Sequence, residues 1–102
     1  MTPQELHELD AWLADNVMGM RPAESLNFRP TRSAADALTL ISRLRGKYGC
    51  DFKVGTPEDT YLVTFLHGHY NGRGEHKELT VAVCLAAKAA VLALFELKRT
   101  LP

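Results

Sequence analysis

Asp51-Phe52-Lys53-Val54-Gly55-Thr56-Pro57-Glu58-Asp59-Thr60-Tyr61-Leu62-Val63-Thr64-Phe65-Leu66 is the stretch on which the fold turns. Two β-favouring runs, Asp51–Val54 and Tyr61–Leu66, flank Gly55-Thr56-Pro57-Glu58-Asp59, which carries turn chemistry. The connection is too short for a parallel crossover, so the pair is predicted to be an antiparallel hairpin. Alternate residues of a strand share a face. Phe52 and Val54 therefore point one way, and Tyr61, Val63 and Phe65 alternate with Leu62, Thr64 and Leu66. The second strand is apolar on both faces, which suits the middle of a sheet better than its edge.

Upstream lie two helical segments. Thr2, Pro3 and Glu5 form a capping box, and Leu6, Leu9, Leu13 and Val17 follow at helical spacing with Trp12 beside them. Gly19 suits a left-handed stop. Met20–Pro30 lacks periodicity and contains Pro22 and Pro30, so a loop is predicted, pinned to the core by Leu26 and Phe28. The second helix starts near Ser33, with Asp36 completing a weaker capping box. Ala34, Ala37, Leu38, Ile41 and Leu44 are its predicted buried face, and Gly46 or Gly49 ends it. Arg43, Arg45 and Lys47 favour its C-terminal end.

Downstream, His67–Lys77 is rich in Gly and His. A short third strand around His69–Asn71 competes there with Gly68, Gly72 and Gly74, which weaken a strand. The last helix is predicted from Glu78 to Arg99, with Leu79, Val83, Ala86, Ala90 and Leu94 along one side. Leu85, Leu92 and Phe95 widen its apolar band, which only Lys88 and Glu96 interrupt before Lys98. Such a helix is either central to the core or half covered by another subunit, and a homodimer or higher homo-oligomer is the expected partner state. The whole is one α+β domain over residues 1–102. It has two helices, a two- or three-stranded antiparallel sheet and a long C-terminal helix. The layers are α-β-α, completed within one chain or only in an oligomer.

Three segments point to a family. Trp12-Leu13-Ala14-Asp15-Asn16-Val17-Met18-Gly19-Met20 closes the first helix on Val-Met-Gly. Pro30-Thr31-Arg32-Ser33-Ala34-Ala35-Asp36-Ala37 opens the second, and Val83-Cys84-Leu85-Ala86-Ala87 lies in the last. Together they resemble the phage ABA sandwich domain family across nearly the whole chain. Met20 stands where that family usually has Trp, and Ser33 where Asp is expected. The resemblance implies a sheet between helices and a phage-encoded protein in the cytoplasm of a bacterial host cell. It carries no reaction, so no catalytic residue is transferred.

Composition bounds the function classes. An apolar share of 46% with 24% charged residues is that of a folded globular chain. A net charge of zero argues against general nucleic-acid binding. Residues 1–36 carry six acids and three bases and residues 37–102 nine bases and six acids, an asymmetry read as solvated helix faces. Thr2–Asp10 is polar and acidic, unlike a secretory leader. Val81–Leu97 is interrupted by Lys88 and Glu96 and falls short of the ~20 residues of a bilayer span. A cytoplasmic chain without membrane contact is the expectation, with Cys50 and Cys84 reduced.

Several residue groups are candidates for chemistry. His67, His69 and His76 form a cluster, and a His-x-His pair on a strand would share a face. No Asp, Glu or Cys stands in a recognised spacing with them, so neither a metal nor another cofactor is expected. Tyr70-Asn71-Gly72-Arg73-Gly74 suits anion capture, glycines letting amides converge and Arg73 forking to a phosphate. It is neither a Walker motif nor a dinucleotide fingerprint. Arg21, Arg29 and Arg32 flank the Pro-bounded loop as a second cationic set, with Glu24 and Asp36 as local partners. Cys50 and Asp51 with a histidine would make a thiol site only if the fold brought them together. Trp12, Met18 and Met20 read as core. No catalytic constellation stands out and an enzyme is not expected. Two readings follow: a non-catalytic phage accessory protein that binds a host or phage protein, or a nucleotide-binding, anti-defence sponge. His69, Tyr70, Asn71, Arg73 and Arg32 would contact the nucleotide.

Overall fold

Thr2 begins the first helix as its chemistry dictates. Its Oγ1 accepts from the Glu5 amide at 3.1 Å, and Glu5 Oε1 accepts from the Thr2 amide at 2.9 Å. Those bonds hold the Glu5 carboxyl below the usual carboxylate range. In this computed structural model, which describes residues 1–101, the helix α1 runs Pro3–Asn16 and buries Leu9, Asp10, Leu13 and Ala14. Gly19 turns the chain out at φ +64°, a left-handed conformation that glycine adopts freely.

The segment expected to be loop holds a one-turn helix, α2 (Pro22–Ser25), with Pro22 in its first turn and Glu24 accepting from the Arg21 amide at 3.2 Å. One turn is too short for a 3.6-residue period to register in sequence. Phe28 pins this segment to the core at 5% exposure, whereas Leu26 is 67% exposed and does not. The helix α3 (Ala34–Gly46) starts at Ser33, whose hydroxyl accepts from the Asp36 amide at 3.2 Å. Asp36 does not close the box; its carboxylate accepts instead from the Arg29 amide at 2.9 Å, tying the incoming loop. The buried face of α3 is Ala37, Leu40 and Leu44 with Ile41 at its margin, while Ala34 and Leu38 are exposed. Two apolar spacings compete on this helix, and the packing selects the one through Leu40.

The hairpin forms as expected, with β1 (Asp51–Gly55) antiparallel to β2 (Tyr61–Leu66) and Phe52 opposite Phe65. A third strand, β3 (Asn71–His76), pairs antiparallel with β2, giving the order β1-β2-β3. It lies further along than expected and runs through Gly72 and Gly74. The reason is the last helix, α4 (Leu79–Thr100), which passes directly over it. A Cβ at Gly72 would fall on the Ala90 nitrogen, and one at Gly74 would lie 2.5 Å from both Ala82 O and Ala86 N. Here glycine serves close approach of two backbones, not flexibility.

The first half of α4 is buried almost all round, from Val81 to Val91. It packs against β3 and β2 of the sheet and against α1 and α3. At 22 residues α4 is longer than the apolar run delimited from sequence, and by length and hydropathy alone it passes for a membrane span. Burial in this core accounts for the apolarity of its first half. The α+β class, the antiparallel sheet and the long final helix are thus as expected. Within one chain the helices stand on the sheet face that carries Val63, Phe65, Gly72 and Gly74. Among the described residues no helix stands on the other face, with Lys53, Thr64 and Arg73.

A polar clasp joins the helical layer. Asp10, 3% exposed, accepts from the Thr31 amide at 2.9 Å and from the Thr31 hydroxyl at 2.8 Å. The Thr80 hydroxyl in turn donates to the Thr31 carbonyl at 2.7 Å, so α1, the loop and α4 meet at one residue. Burial pushes the Cys84 thiol up, and the neighbouring Asp10 charge adds to this. Asp10→Ala strands two buried Thr31 donors and is expected to cost about 2–3 kcal/mol. A fall in the urea midpoint at constant m measures it.

Candidate functional site

The β2–β3 turn holds two of the residues singled out for ligand contact, His69 and Tyr70. The His67 amide donates to the Tyr70 carbonyl at 2.8 Å, closing a tight turn, and the His69 amide donates to His67 Nδ1 at 3.2 Å. The His67 ring stacks on Tyr70 with centroids 4.3 Å apart and planes 14° from parallel. Tyr70 points inward: it is buried, and its hydroxyl donates to the Tyr48 carbonyl at 2.6 Å. Burial, with smaller contributions from Cys50 and Tyr48, pushes the phenol up to about 12. Tyr70 is therefore a structural post under the turn, while His69 stays exposed at its tip.

The thiol possibility does not assemble. Cys50 is buried at 3% exposure beside Tyr70, and desolvation raises its thiol rather than releasing the thiolate. The three histidines do not converge either. His67 and His69 lie in the turn before β3, and His76 ends that strand, where its Nδ1 accepts from the Glu78 amide at 3.0 Å. Six strand residues span about 20 Å. Among the described residues no group of three His, Cys, Asp or Glu side chains is placed to hold a metal ion.

Arg73 lies on the open sheet face. It is opposite Thr64, which is opposite Lys53 on the other side, so the three form one row across the sheet. Strands lie about 4.8 Å apart, which sets the Lys53 and Arg73 backbones about 10 Å apart. Among the described residues the ion pairs are Arg21–Glu24 and Arg99–Glu96, so neither cation of the row is paired. Asn71 lies on the same face, in the row of Leu66 and Asp51. Gly72 and Gly74 face α4 with their backbone in the ladder, so the expected cradle of converging amides does not exist.

Arg32 stands apart from this set. It follows Thr31, which bonds Thr80 of α4, the helix that covers the Gly72 and Gly74 face of the sheet, whereas Arg73 lies on the opposite face. Arg21 pairs with Glu24 at 3.2 Å, so the second cationic set disperses. One chain thus groups Asn71 and Arg73, sets His69 at the end of their face, turns Tyr70 inward and leaves Arg32 elsewhere. Lys53 was not singled out from sequence, although its alternation with Phe52 and Val54 already placed it on the opposite face.

The second half of α4 makes a different surface. Leu92 is 46% and Phe95 37% exposed, with Leu94 and Leu97 half-buried beside them. The Trp12 ring from α1 lies 6.5 Å from Phe95, tilted by 52°, and Lys88 Nζ sits 5.3 Å from the Trp12 centroid. Trp12, Met18 and Met20 are half-buried at the margin of the core. Compared with known proteins, the chain matches no family model, no curated protein and no solved structure.

Proposed function

We propose that this chain is a non-catalytic phage accessory protein that acts by binding a host or phage protein. The observation that carries this reading is the apolar end of α4. Leu92 and Phe95 stand exposed there with Trp12 alongside, and a grouped apolar surface marks a contact site more than scattered exposed residues do. An aromatic pair beside aliphatic side chains is the composition of an interface centre, and Lys88 supplies a polar rim. The thiols and the Tyr70 phenol support the non-catalytic part. Burial shifts all three toward the neutral form, away from nucleophile or base. The phage origin rests on the resemblance of the 12–20, 30–37 and 83–87 segments to the ABA sandwich family.

A photo-crosslinking residue in place of Leu92, in the cell that natively makes the chain, tests the reading. The expected result is one dominant adduct with a different protein, lost when Phe95→Asp is added. No adduct at Leu92, or one that survives Phe95→Asp, would sink it.

A second reading, nucleotide binding or sequestration, draws on the Lys53–Thr64–Arg73 row. Two unpaired cations flank a hydroxyl there, with Asn71 on the same face. A phosphate ligand at ~100 times its dissociation constant would add about 2.7 kcal/mol to stability. Thermal unfolding against mono-, di- and cyclic oligonucleotides reads this out. A rise with one nucleotide that Arg73→Glu removes supports the row, and a panel without any rise excludes it.

A further inference from the structure

We infer that the free edge of β1 is the contact through which two copies of this chain associate, forming a continuous six-stranded sheet around a two-fold axis at Phe52. Edge strands leave backbone N–H and C=O groups unpaired, and β1 is one of the two edges of this sheet. Beneath it a groove of 260 Å³ separates α3 from α4, lined by Ala37, Leu38, Ile41, Phe52, Val54 and Val83. Its rim is apolar and open to water: Leu38 is 63%, Val54 44% and Leu79 40% exposed.

The charges of β1 select the occupant. Two copies of one strand, paired antiparallel about an axis normal to the sheet, place residue i opposite residue j with i + j constant and even. With Lys53 on the axis, two lysines face each other, which destabilises a pair. With Phe52 on the axis, Asp51 of each copy faces Lys53 of the other, twice, on the open face of the sheet. The same register sets Phe52 against Phe52 on the groove side and brings the two grooves together, covering Leu38 and Val54. A self-complementary strand above an apolar groove is what an isologous dimer contact needs. The other edge, β3, alternates Arg73 and Glu75, but the Glu75 carboxylate already accepts from the Thr60 hydroxyl. This dimer is independent of what the α4 end binds.

Charge reversal tests the register. Asp51 and Lys53 are exposed, so Asp51→Lys and Lys53→Asp leave the core untouched. Sedimentation equilibrium of the purified chain is expected to show a dimer. Each single reversal converts both attractive pairs to repulsive ones and should weaken that dimer by about tenfold or more. Mixing the two variants restores both pairs and should restore association as a heterodimer. Arg73→Glu and Phe95→Asp should leave the dimer intact. A monomeric wild type overturns the inference, as does a dimer that survives both single reversals or a mixture that stays dissociated. A dimer split by Phe95→Asp or Arg73→Glu places the contact at α4 or β3 and overturns it equally.

Discussion

Gly72→Ala should cost this protein about 4–6 kcal/mol, above the usual cost of overpacking because the new methyl meets backbone and not a side chain that can turn away. Its Cβ would fall on the Ala90 nitrogen, with Ala86 O at 2.5 Å and Ala90 Cα at 2.6 Å. Relief requires α4 to lift from β3, and α4 is also the helix against which α1 and α3 pack. Small domains are stable by about 5–15 kcal/mol, so a large part of the fold's margin would go. Gly68→Ala is the matched control, since a Cβ there meets nothing within 4 Å. Circular dichroism against urea decides it. Equal midpoints for the two variants would mean that the helix does not press on the strand.

Phe65→Ala is expected to cost about 3–5 kcal/mol, the range for a fully buried aromatic truncated in a packed core. Phe65 is the largest of the fully buried side chains. It sits on the central strand between Phe52 and Gly72, with the Phe52 ring 5.4 Å away and tilted by 43°. Gly72 contributes no side chain, so nothing on β3 can fold into the space the ring leaves. Phe65→Leu keeps most of the volume and should cost about 1–1.5 kcal/mol. The urea midpoints of both variants at unchanged m give the two numbers. A loss below about 1 kcal/mol for Phe65→Ala would show that the sheet face collapses onto α4 without it.

These two residues also mark how far the fold was legible in sequence. Phe65 lies in a run whose alternation and flanking turn identify the central strand directly, and the Thr2 capping box sets the start of α1 to the residue. Gly72 and Gly74 were misleading for a physical reason. A glycine that weakens an isolated strand is required in one that another backbone crosses, and the crossing helix lies later in the chain. The buried face of α3 was shifted because Leu38 and Leu40 both satisfy a helical spacing, and only the position of α4 chooses between them. The site was less legible. Sequence placed Arg73 in a glycine loop, whereas its partner in the row, Lys53, comes from a strand 20 residues earlier and becomes its neighbour only through the β1-β2-β3 order. Arg32 shares a charge type with that row but not a location.

The glycine strand has an evolutionary consequence. Along β3 the positions of Gly72 and Gly74 are closed to any side chain, while Asn71, Arg73 and Glu75 beside them face outward and are exposed. Substitution at the two glycines removes a large part of the fold's stability, and substitution at the outward residues leaves the core untouched. The strand is a rack whose fixings and pegs alternate residue by residue. Divergent descendants of this chain can exchange the chemistry they display on this face one residue at a time, without negotiating each change with the core.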